Sequence, residues 1–275
     1  MDILFTVDAE KCKKDGICAR VCPLHLISLD NDDKLPQPVD KAERQCINCG
    51  HCVAVCRTGA LCLKGVSPDS LTAVDYQKMP DAGQAKTFLT GRRSVRVYKK
   101  QPLEREKLAE IIDAARYAPS GVNSQPVHWL VITDPQEINR LTGLVIDWMR
   151  LVMEQQPDLA RNFNMKGMVD AWDNGVDRIC RSAPGIIVAH APEANGASPS
   201  SCTIALTYLE LAAFANGIGA CWAGFFHTAT TFYPPMLAAL NLPEGHKCYG
   251  AMLVGYPLHK FYYLPQRKDA SITWR

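Results

Sequence analysis

The chain has 275 residues, of which 47% are hydrophobic and 21% are charged, and its formal net charge is +2. This composition predicts a globular protein with one large domain or two unequal ones. A charge so close to zero gives no reason to expect binding to nucleic acid or to a membrane surface. The first residues show no basic stretch followed by a long apolar one, so we expect no secretory signal and a cytoplasmic protein. The 12 cysteines are then expected to bind metal or to pack, because disulfides are rare in reducing compartments.

The strongest motif is a run of closely spaced cysteines with the spacing C-x2-C-x2-C-x3-C. It consists of Cys46, Cys49, Cys52 and Cys56. Bacterial ferredoxins use this spacing to hold iron–sulfur clusters, and in two-cluster proteins the fourth cysteine binds the other cluster. The motif therefore predicts a protein that handles electrons.

An imperfect copy of this motif lies upstream. It contains Cys12, Cys18 and Cys22, and Asp15 occupies the position that aligns with Cys49. The N-terminal stretch is therefore an internal repeat in which one cysteine has been replaced by aspartate.

Residues 1–65 resemble the two-cluster bacterial ferredoxins, and the resemblance implies that the chain crosses over between its clusters. One [4Fe–4S] or [3Fe–4S] cluster would be held by Cys12, Asp15, Cys18 and Cys56. The other, a [4Fe–4S] cluster, would be held by Cys22, Cys46, Cys49 and Cys52. Asp15 departs from the family pattern: it could ligate iron through oxygen, leave a three-iron or labile cluster, or be a solvated loop residue. Arg57 also departs from it, since the family usually has proline there.

Residues 66–86 contain proline, glycine, serine and aspartate without a sustained period, so we expect an interdomain linker with at most one short helix. A second domain would cover residues 87–275. From Lys86 to Leu103 there are six basic residues and no acidic one. This segment predicts a solvated basic surface, a nucleic-acid patch or a phosphate site, since arginine forks and a serine hydroxyl match phosphate oxygens.

A loop of small and amide residues, APSGVNSQP at 118–126, follows an amphipathic helix expected at 104–117. A strand is expected directly after it, at 127–133. Small residues allow the backbone to approach a flat ligand, and asparagine and glutamine amides offer donors and acceptors to the edge of a heterocycle.

Four segments together resemble the FMN-dependent nitroreductase family. They are Arg92–Arg96, the loop 118–126, GIGACWAG at 217–224 and LVGYP at 253–257. The resemblance implies an α+β fold with a mostly antiparallel sheet flanked by helices. It also implies an intertwined homodimer with FMN at the subunit interface.

The resemblance implies roles for individual residues of this chain. The phosphate and ribityl chain would be held by Arg92, Arg93, Ser94 and Arg96. The isoalloxazine would be lined by Pro119, Ser120, Asn123 and Gln125, and the N–H groups of Ala223 and Gly224 would face N5 or O4. Arg267 or Lys268 of the C-terminal tail would return to the phosphate. No side chain is assigned as a catalytic acid or base.

The remaining segments predict structure more than chemistry. Helices are expected at 137–153 and 203–216, and strands at 184–189 and 249–256. The apolar stretch 204–226 is long enough for a membrane span, but its polar residues and glycines favour a helix buried in protein. The remaining cysteines show no ligand spacing and are expected to be structural: Cys62, Cys180, Cys202, Cys221 and Cys248.

These features predict an iron–sulfur flavoprotein oxidoreductase. The clusters would accept electrons from an external donor such as reduced ferredoxin or NAD(P)H, and FMN would reduce a small nitro compound, quinone or activated alkene. One alternative reverses the flow, so that NAD(P)H or a substrate reduces FMN and the clusters carry electrons out. A further alternative is a redox-sensing or electron-transfer module that has no substrate of its own.

Overall fold

A computed structural model describes residues 3–29 and 34–275 of the chain. The residues form two compact units. The first runs to Met79 and includes Val122–Ser124, and the second comprises Pro80–Gly121 and Gln125–Arg275. The domain bounds expected from the sequence, with a linker at 66–86, stay a prediction.

The first unit consists of short helices and two pairs of antiparallel strands. Its elements are β1 (Phe5–Val7), α1 (Ile17–Val21), β2 (Ile27–Ser28), β3 (Gln37–Pro38), α2 (Ala42–Gln45), α3 (His51–Ala54) and β4 (Leu61–Leu63), followed by 3-10 turns at Pro68–Ser70 and Tyr76–Lys78. Strand β1 pairs with β4, and β2 pairs with β3. The four residues 30–33, between β2 and β3, are all polar and are typical of a turn, but they lie outside the described residues.

The internal repeat is visible in the backbone of this unit. Gly16 and Gly50, which align in the two copies, have φ of 67° and 73° and directly precede α1 and α3. Such left-handed angles are accessible to glycine at little cost. Leu26, Val53 and Leu61 belong to a small buried core. A unit with so little core commonly depends on metal ligation for part of its stability.

The second unit is built on a four-stranded sheet with helices on both faces. Its elements are α4 (Ala82–Gly91), α5 (Arg105–Ala115), β5 (His128–Ile132), α6 (Pro135–Gln155), α7 (Pro157–Asn162), α8 (Met165–Asp173), β6 (Gly185–Pro192), α9 (Ser198–Ala215), β7 (Gly219–Trp222), α10 (Gly224–Phe232), α11 (Pro234–Ala239) and β8 (His246–Gly255). A 3-10 segment covers Gly121–Asn123, of which Gly121 belongs to the second unit and Val122 and Asn123 to the first. The strand order is β5-β6-β8-β7, and every neighbouring pair is antiparallel. The expected antiparallel sheet flanked by helices is thus confirmed.

Strand β6 explains how the layers pack. Successive side chains of a strand point to opposite faces. Ile186 and Val188 belong to the core that contains residues of α6, whereas Ile187 and Ala189 belong to the core that contains residues of α5 and α9. Because both faces are covered, β6 is a continuous apolar run without alternation.

One segment differs from the expectation, and a second agrees with it. Helix α4 begins within the predicted linker, where Asp81 accepts from the Gln84 N–H at 2.8 Å and Gln84 accepts from the Asp81 N–H at 3.1 Å, a capping box. The apolar stretch 204–226 is divided, since α9 ends at Ala215, Gly217 turns the chain with φ of 69°, and β7 follows. Within the ranges 3–29 and 34–275, no helix is both long and apolar enough to cross a membrane.

Candidate functional site

The predicted cluster ligands line two separate cavities in the first unit. Cys12, Asp15, Cys18 and Cys56 line one of them. Cys22, Cys46, Cys49 and Cys52 line the other. Each cavity therefore takes side chains from both copies of the repeat, as a crossed-over ligand pattern requires. In the described part of the chain, no three His, Cys, Asp or Glu side chains are placed to hold a metal ion by themselves.

The thiols of this unit have environments that suit ligation of iron. Burial raises the pKa of Cys52 to about 11, despite an opposing hydrogen bond from the Val53 N–H. Burial also tends to raise the pKa of Cys56, but hydrogen bonds from the Ala60 N–H and from Thr58 outweigh it, so the pKa is lowered. A buried thiolate such as that of Cys52 is stabilised when it binds a cation. Four thiols around one cavity are the usual donor set of a [4Fe–4S] cluster.

A matching sulfur contact recurs in both copies of the repeat. The Cys22 Sγ accepts from the Leu26 N–H at 3.4 Å, and the Cys56 Sγ accepts from the Ala60 N–H at 3.2 Å. Both donors lie four residues after the cysteine. Hydrogen bonds to ligand sulfurs are one of the factors that set cluster potentials.

Asp15 is the exception among the cavity residues. Its side chain is exposed, and Oδ1 accepts from the N–H of Ile17 at 3.1 Å, at the start of α1. That bond leaves the second carboxylate oxygen for a ligand. The geometry is compatible with oxygen ligation and also with a solvated loop residue.

In the second unit, the basic segment lies alongside β7. Ser94 forms a parallel bridge with Ala220, and the Val95 N–H donates to the Ala220 carbonyl at 2.9 Å. A Cβ at Gly219 would lie 2.6 Å from the Val95 side chain, so this approach requires glycine. Two of the segments that resemble nitroreductases are thus neighbours in space.

Arg92 has a partner that the sequence did not indicate. Its Nη1 lies 2.7 Å from Oε1 of Glu210 on α9, whose side chain is only 8% exposed. Burial raises the pKa of Glu210, and Arg92 and a hydrogen bond with Trp222 oppose that rise. A guanidinium carries five N–H donors, so the pairing leaves Arg92 further donors for an anion.

Arg96 lies beside the thiol of Cys221. Burial raises the pKa of Cys221, while Arg96 and Arg181 oppose the rise and Arg96 hydrogen bonds to the sulfur. Among the described residues, neither Arg96 nor Arg181 forms an ion pair with an acidic side chain. Their charge is therefore uncompensated by the protein.

Apart from Cys62, the cysteines expected to be structural are buried.

The N–H groups at the start of α10 differ from each other. The Ala223 N–H donates to the Ala251 carbonyl at 2.9 Å, within the sheet. The Gly224 N–H, at the first residue of α10, has no partner among the described residues. Of these two predicted donors, Gly224 is therefore the one whose backbone N–H stays available for a ligand in the described structure.

A cavity of about 150 Å³ lies at the loop that follows α5. It is lined in part by Pro119, Ser120, Gln125 and Ser201. The Ser120 hydroxyl accepts from the Gln125 N–H at 2.9 Å. Ser201 is only 1% exposed, and no sequence motif indicated it. Within residues 3–29 and 34–275, its hydroxyl is the buried side-chain group left without a hydrogen-bond partner. Buried hydroxyls normally have partners, so this one is suited to a bound ligand.

We expect Ser201→Ala to weaken FMN binding without lowering the stability of the cofactor-free protein. The hydroxyl has no protein partner to lose, whereas one hydrogen bond to FMN is worth about 0.5–1.5 kcal/mol, or roughly 2- to 13-fold in affinity. Fluorescence titration with FMN and thermal unfolding would measure the two effects. Ser200→Ala is the matched control, because Ser200 is exposed and bonds to the Ala197 carbonyl. Equal FMN affinities in wild type and Ser201→Ala would contradict the expectation.

The other predicted flavin residues do not line the cavity at the loop after α5. Asn123 belongs to the first unit, where its Nδ2 donates to the carbonyls of Ile47 and Asn48. Arg267 and Lys268 lie in an exposed C-terminal segment without helix or strand. Arg93 is partly buried beside Arg92 and Ser94.

Comparison with protein families identifies both parts of the chain. A model of the nitroreductase family matches residues 89–256, and a model of the 4Fe-4S dicluster domain matches residues 10–61. The resemblance expected from the sequence motifs is therefore confirmed for both.

Individual relatives are more distant. A protein of Archaeoglobus fulgidus, named as a candidate NADH dehydrogenase/NAD(P)H nitroreductase, is 26% identical over 171 residues, which are 60% of this chain and 81% of that protein. A 5,6-dimethylbenzimidazole synthase of Rhodospirillum rubrum is 26% identical over 181 residues, 60% of this chain and 78% of the synthase. The crystal structure of an FMN-bound nitroreductase from Bacteroides fragilis superposes with a TM-score of 0.57 and 22% identity, covering 69% of this chain and 97% of that one. The superposition shows a shared fold.

Proposed function

We propose, from the premise that the chain belongs to the nitroreductase family and carries a 4Fe-4S dicluster domain, that it passes electrons between two iron–sulfur clusters and FMN to reduce a small organic acceptor. It is an FMN-dependent oxidoreductase. The observation that carries the proposal is that two sets of candidate cluster ligands, one of four cysteines and one of three cysteines with Asp15, line two cavities in the same chain as the flavin domain. A cluster transfers single electrons, whereas bound flavin accepts one or two and delivers them as a pair.

The proposed ligand sets follow the cavities. Cys22, Cys46, Cys49 and Cys52 would hold a [4Fe–4S] cluster. Cys12, Cys18 and Cys56 would hold the other, with Asp15 as an oxygen ligand or with a three-iron cluster in its place. The grouping of these side chains around two cavities supports the assignments.

The proposed FMN site uses charge, backbone and shape. Arg92, Arg93, Ser94 and Arg96 would bind the phosphate and ribityl chain, with Arg267 or Lys268 returning from the tail. The free N–H of Gly224 would donate to the isoalloxazine. Pro119, Ser120, Gln125 and Ser201 would line the ring or the ribityl chain.

The proposed oligomeric state, electron donor and acceptor are based on the family. We propose an intertwined homodimer with FMN at the interface, because the chain belongs to the nitroreductase family, whose resemblance implies this arrangement. The electron donor to the clusters would be a reduced ferredoxin, whereas NAD(P)H would reduce FMN directly if the flow is reversed. The acceptor would be a nitro compound, quinone or activated alkene. The spacing of the cysteines suits metal ligation in the cytoplasm. The side chains of the site would position the acceptor and stabilise developing negative charge with cations and N–H groups.

An anaerobic titration would test the direction of electron flow. We expect a reduced ferredoxin to bleach the flavin band, and nitrobenzene or p-benzoquinone to restore it. In a Cys49→Ser protein that retains FMN, the same donor should bleach the flavin far more slowly, because one cluster is absent. Equally fast bleaching by NADH or NADPH alone in both proteins would contradict this route. A reduced flavin that no such acceptor reoxidises would contradict the proposed acceptor class.

A further inference from the structure

Asn123 is bound to the loop that carries two of the proposed cluster ligands. Its Nδ2 donates to the Ile47 carbonyl at 3.2 Å and to the Asn48 carbonyl at 3.0 Å. These two residues separate Cys46 from Cys49. All four belong to the first compact unit together with Val122–Ser124. Both hydrogens of the amide are therefore used on the cysteine loop.

The backbone on both sides of this contact is strained. Val122 and Asn123 have φ of 47° and 54°, and Asn48 has φ of 52°. Asparagine tolerates this left-handed region, but a β-branched valine there is a genuine outlier that stores backbone strain. Strained residues persist only where surrounding contacts hold them, and they cluster at functional sites. The paired amide–carbonyl bonds supply such a contact.

The contact also fixes two peptide groups next to the cluster cavity. The Ile47 carbonyl shares its peptide with the Asn48 N–H, and the Asn48 carbonyl shares its peptide with the Cys49 N–H. Because a trans peptide is planar, each N–H points away from its own carbonyl, and so away from Asn123. Neither N–H has a hydrogen-bond partner in the described ranges, and Ile47 and Cys49 line the cavity that also contains Cys46.

We propose that Asn123 is a positioning residue of the cluster held by Cys22, Cys46, Cys49 and Cys52. By holding the two carbonyls, it directs the N–H groups of Asn48 and Cys49 toward the cluster sulfurs. Donors to these sulfurs stabilise the reduced, more negative cluster and raise its potential. The inference rests on the ligand set proposed above, and it assigns Asn123 to the cluster and not to the isoalloxazine.

Redox titration of the holoprotein, followed by electron paramagnetic resonance, would test this role. We expect Asn123→Ala to lower the potential of this cluster by at least 59 mV, a tenfold change in the one-electron equilibrium. Asn123→Gly should behave alike, since glycine relieves the backbone strain but also lacks the amide. Ser124→Ala is the matched control, from the same exposed segment, and should leave the potential unchanged. FMN affinity, measured in parallel, should be the same in all four proteins.

The other outcomes are also decisive. Iron analysis that shows loss of this cluster in both Asn123 variants, but not in Ser124→Ala, would support the proposal through a stronger effect. An unchanged cluster potential in Asn123→Ala would overturn the proposal. If FMN affinity also fell tenfold, Asn123 would instead be assigned to the flavin site. A wild-type protein that binds no iron after anaerobic reconstitution would overturn the ligand set and this inference together.

Discussion

Replacing Cys22 with alanine is expected to remove the same iron–sulfur cluster that replacing Cys49 removes. The two cysteines lie in different copies of the repeat but line one cavity. Each variant should lose about four iron atoms per chain and the same resonance of the dithionite-reduced protein, because a [4Fe–4S] cluster with three thiolates is labile. Cys56→Ala, from the second copy, should instead remove the signal of the cluster at Cys12 and Cys18.

Cys62→Ala provides the control for this set. Cys62 lies on β4 and lines neither cavity, so both clusters should remain. A protein in which Cys22→Ala and Cys56→Ala abolish the same signal would contradict the crossed-over pattern. Iron analysis together with spectra of reduced and oxidised samples distinguishes these results.

Arg92→Ala is expected to destabilise the cofactor-free protein by about 2 kcal/mol at pH 8. Removing one member of a buried ion pair costs about 3–5 kcal/mol. The smaller value allows for the 25% exposure of Arg92. The variant leaves the carboxylate of Glu210 charged and nearly buried. Urea unfolding monitored by tryptophan fluorescence would measure the change.

The size of this effect should depend on pH in a defined direction. The folded-state pKa of Glu210 lies above its ordinary value of 4.5, because burial outweighs Arg92. A raised carboxyl pKa contributes stability at low pH that is lost as pH rises through the folded-state value. Without Arg92 the pKa rises further, so the loss of stability grows between pH 5 and pH 8. It should become small below pH 4.5, where the carboxyl is protonated in both states.

Two further variants separate the ion pair from cofactor binding. Arg92→Ala combined with Glu210→Gln should recover most of the lost stability, since no buried charge remains unpaired. Arg96→Ala should leave the cofactor-free stability unchanged but weaken FMN binding by about 10- to 150-fold, the value of a charge-assisted hydrogen bond. If Arg92→Ala lost the same amount of stability relative to wild type at pH 5 and at pH 8, the assigned role of Glu210 would be wrong.

The sequence predicted best those features that depend on local chemistry. Cysteine spacing indicated two sets of ligands, because thiolates two or three residues apart can meet around one cluster. The antiparallel sheet followed from the family resemblance, and the apolar run Ile186–Ala189 predicted one buried strand of it. The expected amphipathic helix at 104–117 is α5, which ends at Ala115.

Features that depend on distant partners were not predictable. Arg92 and Glu210 are 118 positions apart, and only the packing of α9 brings them together. Ser201 has no motif around it, and its unpartnered hydroxyl is a property of the folded cavity. Helix α4 is different, because its capping box, Asp81 with Gln84, could have been found within the segment interpreted as a linker.

Strand β7 ends the sheet order, and the arginine segment covers its outer side. The Val95 N–H bonded to Ala220 occupies backbone that would otherwise be open. Uncovered edge strands are templates for pairing with other chains and lead to aggregation. The same five residues, 92–96, would thus have two unrelated roles, the proposed recognition of an anion and the protection of this sheet edge from aggregation. Val95→Pro would keep every arginine but remove this N–H. The edge of β7 would then be uncovered, and the protein would become less soluble although its charge is unchanged.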